Sequence, residues 1–334
     1  MTSVAIVVLN YNGQHFLEEF LPSLTRHSVP YEVIVADNAS TDNSLDFLKS
    51  NFSELRIIEL SRNDGFAGGY NEALKHLEHD YFILINSDVE VTANWCQPLI
   101  NYLETNSDFA ACQPKIKSFT KKNEFEYAGA AGGYLDFLGY PFCKGRVFDI
   151  LEEDHGQYNE TSEIFWCSGA CMAIKSDLFF EAGGFDRDFF AHMEEIDLCW
   201  RLQLMGYKIA YIPDSTIYHV GGGTLAKSNP KKTYLNFRNS LAVVTKNLPT
   251  TTLPIVLITR LLLDLVAAMV FIRTNSFAHF RAVMGAQRDF ILSLPKTLKK
   301  RKRIKRLAKV SLFRRSTVLY YFLKGRKTFS EIIQ

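Results

Sequence analysis

Apolar and polar positions alternate in a regular order along the N-terminal part of the chain. Continuous apolar runs rich in β-branched residues predict strands that are buried on both faces. These runs occupy residues 4–9, 31–36, 55–60 and 81–85. Segments with helical periodicity lie between them, at 13–26, 44–51 and 69–77. The resulting βαβαβαβ order predicts an α/β protein with a Rossmann-like, mostly parallel, doubly wound sheet.

Polar side chains stand where each predicted strand ends. They are Asn10, Asn12, Asp37, Asn63, Asn86 and Asp88. Open parallel sheets bind ligands in the crevice beyond the carboxyl ends of their strands. The sequence therefore predicts that these side chains line one ligand site.

The pattern changes after residue 110. Short aromatic segments with glycines, such as YAGAAGGYLDFLGYPF and IFWCSGACMAI, extend to about residue 180 and predict antiparallel strands added to the sheet. Residues 207–212 predict one more strand, followed by His219 and the glycines at 221–223.

A long apolar segment and a basic segment follow, and they predict a C-terminal helical extension over 246–334 behind a main domain at 1–245. Residues 253–272 contain thirteen Leu, Ile, Val and Phe residues together with Arg260 and Asp264. The apolar residues contribute roughly −0.3 to −0.6 kcal/mol each to membrane insertion, and each charge opposes it by roughly 2.5 to 3.5 kcal/mol. Because the sum is close to zero, we expect a helix that packs on the domain or lies in a membrane interface. A second helix is predicted at 276–294, and a cationic helix at 296–310.

Charge is distributed unevenly along the 334 residues, although the net charge is only +2. From residue 295 to the end there are 14 Lys and Arg residues and one acid, which leaves 24 basic and 35 acidic residues, or −11, before that point. The basic tail suggests an anionic partner, either a membrane surface or a nucleic acid. The acidic balance of the remaining chain argues against a nucleic-acid-binding protein.

Two of the six cysteines, Cys167 and Cys171, are four positions apart, but no second Cys or His pair at zinc spacing follows them. We therefore interpret all six as reduced core thiols of a cytosolic protein. The N-terminal sequence MTSVAIVVLNYNG has no basic region and no cleavage site. It predicts a first β-strand rather than a signal peptide.

Three carboxylates, Glu194, Glu195 and Asp197, stand close together in the segment FDRDFFAHMEEIDLCWR at 185–201. Mutual repulsion raises the pKa of clustered carboxylates, and a raised pKa suits a general base. The alternative is a solvated acidic helix start, since carboxylates favour helix N-termini.

Candidate metal and phosphate ligands are present as well. Asp88 follows an apolar strand and is placed to bind a hard divalent cation, although an Asx turn explains it equally. His219 is either a ligand or an ordinary loop residue. The glycine-rich segment NDGFAGGYN at 63–71 is either a phosphate loop that opens a helix or a simple turn.

Taken together, eight motifs in one order resemble inverting family 2 glycosyltransferases of the GT-A fold, over residues 3 to about 245. The motifs are VVLNYNG, ADNASTD, NDGFAGGYN, ILINSDV, WCSGACMAI, FFAHMEEIDLCWR, HVGGGT and YLNFRNSL. The most similar subgroup is the rhamnosyltransferase-like enzymes of bacterial surface-polysaccharide synthesis.

The resemblance implies a role for each matching residue. Nucleotide-sugar binding is assigned to Asn10, Asn12, Asp37, Asn63, Gly68, Asn71, Asn86 and Arg238. Asp88 and His219 would hold a divalent cation, Mn²⁺ or Mg²⁺. The acceptor pocket would contain Ser168, Gly169 and Ala170. Glu195 would be the base, with Glu194 and Asp197 beside it, although the family has Asp where this chain has Glu195.

The implied activity is hexosyl transfer from a UDP- or TDP-sugar to a hydroxyl of a glycan or lipid-linked acceptor. The resemblance places such an enzyme at the cytoplasmic face of the inner membrane, where its basic tail would contact anionic lipid rather than nucleic acid. A sugar nucleotidyltransferase is the nearest alternative, but its Gly-rich triphosphate loop with a lysine is missing near the N-terminus. A catalytically inactive scaffold is a further alternative.

Overall fold

The computed structural model describes residues 2–221, 229–274 and 276–334. Its strands, in chain order, are β1 Val4–Asn10, β2 Glu32–Asp37, β3 Arg56–Glu59, β4 Tyr81–Asn86, β5 Val89–Val91, β6 Phe109–Ser118, β7 Gly133–Leu135, β8 Pro141–Cys143, β9 Arg146–Val147, β10 Ile150–Leu151, β11 Ser162–Ile164, β12 Cys171–Lys175 and β13 Lys208–His219. Its α-helices are α1 Gln14–His27, α2 Ser44–Asn51, α3 Gly65–Leu74, α4 Gln97–Thr105, α5 Ser176–Glu181, α6 Glu194–Leu204, α7 Pro230–Asn247, α8 Leu253–Arg273, α9 Phe277–Arg301, α10 Thr317–Lys324 and α11 Phe329–Ile333.

A nine-stranded sheet forms the centre of the protein, in the order β11-β13-β6-β12-β4-β1-β2-β3, with β5 paired to β13. Strands β3, β2, β1 and β4 are parallel to one another. The apolar runs form these strands because both faces of the sheet are covered and no polar alternation is needed. The predicted doubly wound sheet is confirmed, and Asn10 lies opposite Asp37 where β1 and β2 end.

The second half of the sheet contains the predicted antiparallel additions. β12 is antiparallel to β4 and β6, and β13 is antiparallel to β5 and β11 but parallel to β6. β13 extends seven residues beyond the predicted end of the strand at 207–212 and ends at His219. Pro213 interrupts the apolar pattern, and the pairing with β6 shifts its register between Ile212 and Thr216. His219 is thus the last residue of a strand, not a loop residue.

Helix α3 begins at Gly65, four residues before the predicted start at 69. Glycines weaken helices, so the pattern favoured a loop there. Packing overrides this preference, since a Cβ atom at Gly69 would lie 2.9 Å from a methyl carbon of Leu9.

The C-terminal helices pack on the main domain instead of forming a separate unit. The boundary predicted at residue 245 falls inside α7, and α7 packs along α9. α10 begins at Thr317, whose backbone and hydroxyl groups donate to the buried Asp136. Phe329 of α11 packs with Phe142 of the small antiparallel sheet β7–β10.

The cationic helix predicted at 296–310 is helical only to Arg301, where α9 ends. Beyond it, Arg306 donates to the carbonyl groups of Lys246 and Asn247, and Arg301 donates to that of Thr245. These carbonyls lie at the C-terminus of α7 and lack helical partners. Arginine side chains supply the missing hydrogen-bond donors to these carbonyls. A straight continuation of α9 would carry Arg306 away from them.

One face of α8 is buried and the other is exposed. Arg260 donates to the carbonyl of Leu138 and to Ser240, and its guanidinium lies 3.8 Å from the ring centre of Tyr140. The outer face is apolar and exposed at Ile255, Ile258, Leu262, Val266, Met269 and Val270. By length and composition alone, α8 is the one helix in the described ranges that could cross a membrane. The six cysteines are free and buried, as predicted.

Candidate active site

The ends of β1 and β2 form a hydrogen-bonded cluster around Asp37. Asn10 donates from Nδ2 to Asp37 Oδ2 over 2.9 Å, and Ser40 donates from its backbone and hydroxyl groups over 2.8 and 2.6 Å. Asn12 donates its backbone N–H to Ser40 Oγ over 2.9 Å. The buried oxygens Asn10 Oδ1 and Asn38 Oδ1 have no protein partner in the described ranges. Unpaired buried polar atoms indicate a ligand position.

The segment before α3 lies beside this cluster. Asn63 Oδ1 accepts from Gly65 N over 2.8 Å and from Asn38 Nδ2 over 3.1 Å, so it shapes the turn that starts the helix. Gly68 lines a shallow pocket of about 180 Å³. The other lining residues are Leu60, Ser61, Arg62, Asp64, Gly69, Glu72 and Arg187. This volume holds only part of a nucleotide.

Asn71 has a structural role that the sequence did not indicate. Its Nδ2 donates to the carbonyl of Phe185 over 2.7 Å, and its Oδ1 accepts from Phe185 N over 2.9 Å. Both ends of the amide are therefore engaged with backbone, and the expectation that Asn71 contacts the nucleotide stays a prediction. It ties α3 to the segment that precedes the acidic cluster.

Asp88 and His219 meet where β4 and β13 end. His219 Nε2 lies 3.1 Å from Asp88 Oδ1 and 3.4 Å from Asn86 Nδ2, while its Nδ1 lies 3.4 Å from Glu126 Oε1. Val220 donates its N–H to the Asp88 carbonyl over 3.0 Å, which fixes the two strand ends together. The predicted neighbours Asn86, Asp88 and His219 are thus brought into contact.

The electrostatics of this contact are those of a buried ion pair. Burial raises the pKa of Asp88, but the charge and hydrogen bond of His219 outweigh burial and hold that pKa below its usual value. Burial lowers the pKa of His219, yet Glu126 and Asp88 together raise it to about 10. Oxygen and imidazole donors of this kind suit Mn²⁺ or Mg²⁺. In the described residues no three His, Cys, Asp or Glu side chains surround one point, so a cation here would need ligands from substrate as well.

Glu194 and Glu195 begin α6 directly after residues in unusual backbone conformations. His192 and Met193 have φ values of 70° and 75°, and Phe190 has 66°. Such left-handed residues are costly and cluster at functional sites. The turn they form places both glutamates at the helix start.

The glutamate pair has the properties of a general base. Burial raises the pKa of Glu194 well above its usual value, and the nearby Glu195 carboxylate raises it further. Burial also raises the pKa of Glu195, to about 7. Glu194 is fully enclosed, whereas Glu195 is partly exposed. Partial exposure and a pKa near neutral meet the physical requirements of a general base, and the role predicted for Glu195 stays a prediction.

Asp197 is engaged in buried contacts, and its predicted place in the catalytic set stays a prediction. Its Oδ2 lies 2.9 Å from Arg201 Nε and 2.7 Å from Lys246 Nζ, and Oδ1 accepts from Asn247 over 2.8 Å. Burial raises the pKa of Asp197, but Lys246 and Arg201 outweigh burial and hold it below its usual value. Asp197 is a buried anion that holds α6 against α7.

Helix α7 also holds the turn before the glutamates. Asn239 Nδ2 donates to the carbonyl groups of Phe189, Ala191 and His192 over 3.0, 2.9 and 2.7 Å. Arg238 donates to the carbonyls of Asp188 and Phe189 over 2.8 and 3.1 Å. Since Arg238 is engaged in this way, its expected contact with a diphosphate stays a prediction.

The predicted acceptor segment lies next to the end of β4. Ala170 accepts from Asn86 N over 3.0 Å, and Ser168 Oγ accepts from Ala170 N over 3.1 Å. Ser168 also donates to the carbonyl of Ala128, so its hydroxyl shapes this turn. A Cβ at Gly169 would lie 3.3 Å from the ring of Phe66. Two of the glycines that follow His219, at 222 and 223, lie outside the described residues.

Several residues of the site were not found from the sequence. Glu126, Arg146 and His192 are buried or nearly so, and Arg146 Nε and His192 Nε2 have no protein partner among the described residues. Burial raises the pKa of the Cys143 thiol, and the guanidinium of Arg146, 3.4 Å from Cys143 Sγ, opposes part of that rise. None of these residues stands in a motif that would reveal it.

Comparison with known proteins identifies the family of the chain. The profile of glycosyl transferase family 2 matches residues 4–180, which is more than half of the chain. The chain belongs to glycosyltransferase family 2. It is therefore a transferase of sugars, and the predicted family and activity are confirmed.

Two curated glycosyltransferases are similar to most of the chain. The N-acetylglucosaminyl-diphospho-decaprenol L-rhamnosyltransferase of Mycobacterium tuberculosis is 26% identical over 239 residues, covering 66% of this chain and 76% of its own length. Rhamnosyltransferase WbbL of Escherichia coli K12 is 24% identical over 216 residues, which cover 63% of this chain and 80% of its own length.

A solved structure supports the fold. GalNAc-T7 with UDP, GalNAc and Mn²⁺ superimposes with a TM-score of 0.58 at 16% identity, over 74% of this glycosyltransferase and 48% of that chain. This glycosyltransferase spans about half the length of GalNAc-T7. The likeness confirms the predicted GT-A fold, and the roles of single residues stay predictions.

Proposed function

We propose that this glycosyltransferase moves a hexose, rhamnose in the first instance, from a UDP- or TDP-sugar to a hydroxyl of a lipid-linked glycan in surface-polysaccharide synthesis. The observation that supports it most is the contact of Asp88 with His219 at the carboxyl end of β4, together with the raised pKa of Glu195 at the start of α6. The two rhamnosyltransferase relatives support rhamnose as the sugar, and the activity of the Mycobacterium tuberculosis relative supports a diphospho-lipid acceptor.

One group of residues would bind the donor and stabilise its leaving group, and another would activate the acceptor. Asp37, with Asn10 and Asn12 beside it, would bind the donor base. Asn86, Asp88 and His219 would hold a divalent cation, which when bound stabilises the negative charge that grows on the diphosphate leaving group. The donor set fits such an ion, because two oxygen donors and one imidazole leave positions for phosphate oxygens.

Glu195 would accept the proton of the acceptor hydroxyl as that oxygen bonds to the anomeric carbon. An attack opposite to the leaving group gives single displacement with inversion. The longer side chain of Glu, compared with Asp, moves the carboxylate outward by one methylene, so acceptor position must differ accordingly. Ser168 to Ala170 would form the wall on the acceptor side.

The enzyme would act at the cytoplasmic face of the inner membrane as a peripheral protein. Support comes from the exposed apolar face of α8 and from exposed cations beyond α9, at Lys302, Arg303, Lys309 and Arg314. Anionic lipid attracts such cations by roughly 1 kcal/mol each, and apolar helix faces enter the same interface. A lipid-linked acceptor would be concentrated there.

The test is a screen of the purified protein with UDP-, TDP- and GDP-sugars, each with Mn²⁺, Mg²⁺ or EDTA. A true donor raises the unfolding temperature by linkage, and only with metal. With that donor and a synthetic polyprenyl-diphosphate sugar, NMR of the product reports the anomeric configuration. A retained configuration contradicts the mechanism. Release of pyrophosphate from a nucleoside triphosphate and a sugar phosphate would instead show a nucleotidyltransferase.

A further inference from the structure

The imidazole of His219 lies between two carboxylates that contact opposite ring nitrogens. Nε2 is 3.1 Å from Asp88 Oδ1, and Nδ1 is 3.4 Å from Glu126 Oε1. The three side chains are only 6%, 9% and 6% exposed, for His219, Asp88 and Glu126. A carboxylate on the second nitrogen of a metal-binding histidine fixes which nitrogen keeps its proton.

The backbone around Glu126 holds this carboxylate in place. Glu126 N donates to the carbonyl of Ile116 over 3.1 Å, next to β13 in the sheet. Its Oε2 accepts the N–H of Ala128, so one oxygen is anchored and Oε1 remains for His219. A Cβ at Gly221 would lie 2.9 Å from Oε1, and Gly221 has a φ of +73°. The positive φ favours glycine at this position, and the missing side chain lets the chain pass over Glu126.

We infer that Glu126 is a positioning residue for His219, and this inference rests on the proposed metal-dependent transfer. When the cation binds, it replaces the proton on Nε2, and Glu126 Oε1, which lies 3.4 Å from Nδ1, would keep the proton on that nitrogen. The ring is then neutral and offers one donor and one acceptor, so holding the proton on Nδ1 directs the Nε2 lone pair towards the cation beside Asp88.

Direct metal binding by Glu126 does not fit this geometry. Asp88 and Glu126 contact opposite nitrogens of one ring, and one cation cannot bind both carboxylates while His219 lies between them. A purely structural role for Glu126 does not fit either, because a structural carboxylate could bond to any nearby donor. Glu126 instead uses one oxygen for its own turn and aims the other at the imidazole.

Two substitutions separate orientation from charge. Glu126→Gln keeps an oxygen that accepts from Nδ1 but removes the charge, whereas Glu126→Ala removes both. Glu153→Ala is the matched control, because that side chain is 53% exposed. The readout is the Kd of Mn²⁺, measured by electron paramagnetic resonance with UDP or TDP present, alongside circular dichroism.

Glu126→Ala should raise the Kd about 10- to 100-fold, while Glu126→Gln stays within about threefold of wild type. Wild-type affinity in a folded Glu126→Ala protein overturns the inference, as does an equal loss in both variants. If Glu126→Ala does not fold, Glu126→Gln decides, and a loss of about tenfold or more overturns the positioning role. If the wild-type protein binds no Mn²⁺ with either nucleotide, the metal in the proposed function fails and this inference fails with it.

Discussion

The ammonium nitrogen of Lys246 lies 2.7 Å from Oδ2 of Asp197, and both side chains are almost completely buried. The same nitrogen lies 2.7 Å from Asp186 Oδ2. Asp186 and Asp197 flank the turn and the glutamates, whereas Lys246 belongs to α7. Lys300 of α9 adds a contact of 2.6 Å to Asp188. The C-terminal helices therefore hold the segment that presents Glu195.

Lys246→Met should destabilise the protein by about 3 to 5 kcal/mol, because it leaves Asp186 and Asp197 buried without their cation. The free energy of unfolding is measured by urea denaturation. Lys49→Met is the control, since its pair with Glu59 is half exposed, and it should change stability by about 0.5 kcal/mol or less. Equal losses in the free energy of unfolding would show that the buried cluster stabilises the protein no more than an exposed ion pair does.

The pH dependence of the same comparison has a defined sign. Despite burial, Lys246 and Arg201 hold the pKa of Asp197 below its unfolded value, so the stabilisation is present above about pH 4. It is lost as pH falls through the folded pKa. The difference between wild type and Lys246→Met should therefore shrink at pH 3.

Catalysis and structure should separate at Glu195 and Asp197. Glu195→Gln is nearly isosteric and should reduce turnover by about 10³-fold or more while donor binding and folding survive. Asp197→Asn should lower the unfolding temperature and reduce turnover less, because it weakens the Lys246 cluster. Glu194→Gln should also be milder than Glu195→Gln. Turnover and thermal unfolding of the three variants are the measurements, and the base is misplaced if Glu194→Gln proves the most damaging.

The activity should follow the ionisation of Glu195. Burial raises its pKa to about 7, and the base must be ionised, so kcat/KM for the acceptor should rise with pH and level off above about 7. Rates from pH 5 to 9 in constant ionic strength provide the measurement. An inflection near 4.5 instead would mean that the working carboxylate is solvated.

The contribution of Glu195 to folding stability should fall as pH rises, whereas the activity rises. A carboxyl with a raised folded pKa costs stability as pH rises through the interval between its unfolded and folded values. Glu195→Gln should therefore unfold at a higher temperature than wild type at pH 8 and at a similar temperature at pH 4.5. A lower unfolding temperature at pH 8 would contradict the buried, raised-pKa environment.

The sequence was most informative where one local pattern determines one element. Continuous apolar runs and the polar residues that follow them located β1, β2 and β4 and the Asn10–Asp37 and Asp88 positions. It was least informative where contacts join distant segments. Glu126 meets His219 only because β6 and β13 pair, and 93 positions separate the two residues in the chain.

The same limit explains the errors at the C-terminus. The cations at 299–306 suggest a solvated helix, because their partners are carbonyls of α7 and carboxylates before α6 that no local pattern reveals. Asp197 has the charge of a catalytic residue, yet its carboxylate is paired with Lys246, which is 49 positions away in the chain. Charge patterns predict exposure well only when no buried counter-charge is supplied from elsewhere.

Asp88→Asn should reduce turnover by about 10²-fold or more without unfolding the protein, because the diphosphate charge loses its stabilising cation. EDTA should reproduce this loss in the wild type. Added Mn²⁺ should restore turnover in the wild type but not in the variant. Asp108→Asn is a control, as its pair with Lys208 is exposed. Full activity in EDTA would refute the role of Asp88.

The last prediction concerns the membrane. Some cations of the basic tail are already engaged, because Lys300, Arg301 and Arg306 bond within the protein. Neutralising them would damage the fold along with any lipid contact. Binding should instead depend on exposed cations, so the triple Gln variant at Lys302, Arg303 and Lys309 is the proper probe.

Flotation with liposomes should show binding that needs anionic lipid, weakens with salt and falls in this triple variant. The matched control neutralises Lys49, Lys75 and Lys121, which are equally exposed but lie on the main domain. Because the net charge changes equally, a loss confined to the first variant locates the contact. Leu262→Glu, on the outer face of α8, should weaken binding at every salt concentration, since it opposes burial of an apolar face. Binding that ignores lipid charge and survives both changes would remove the membrane from the mechanism.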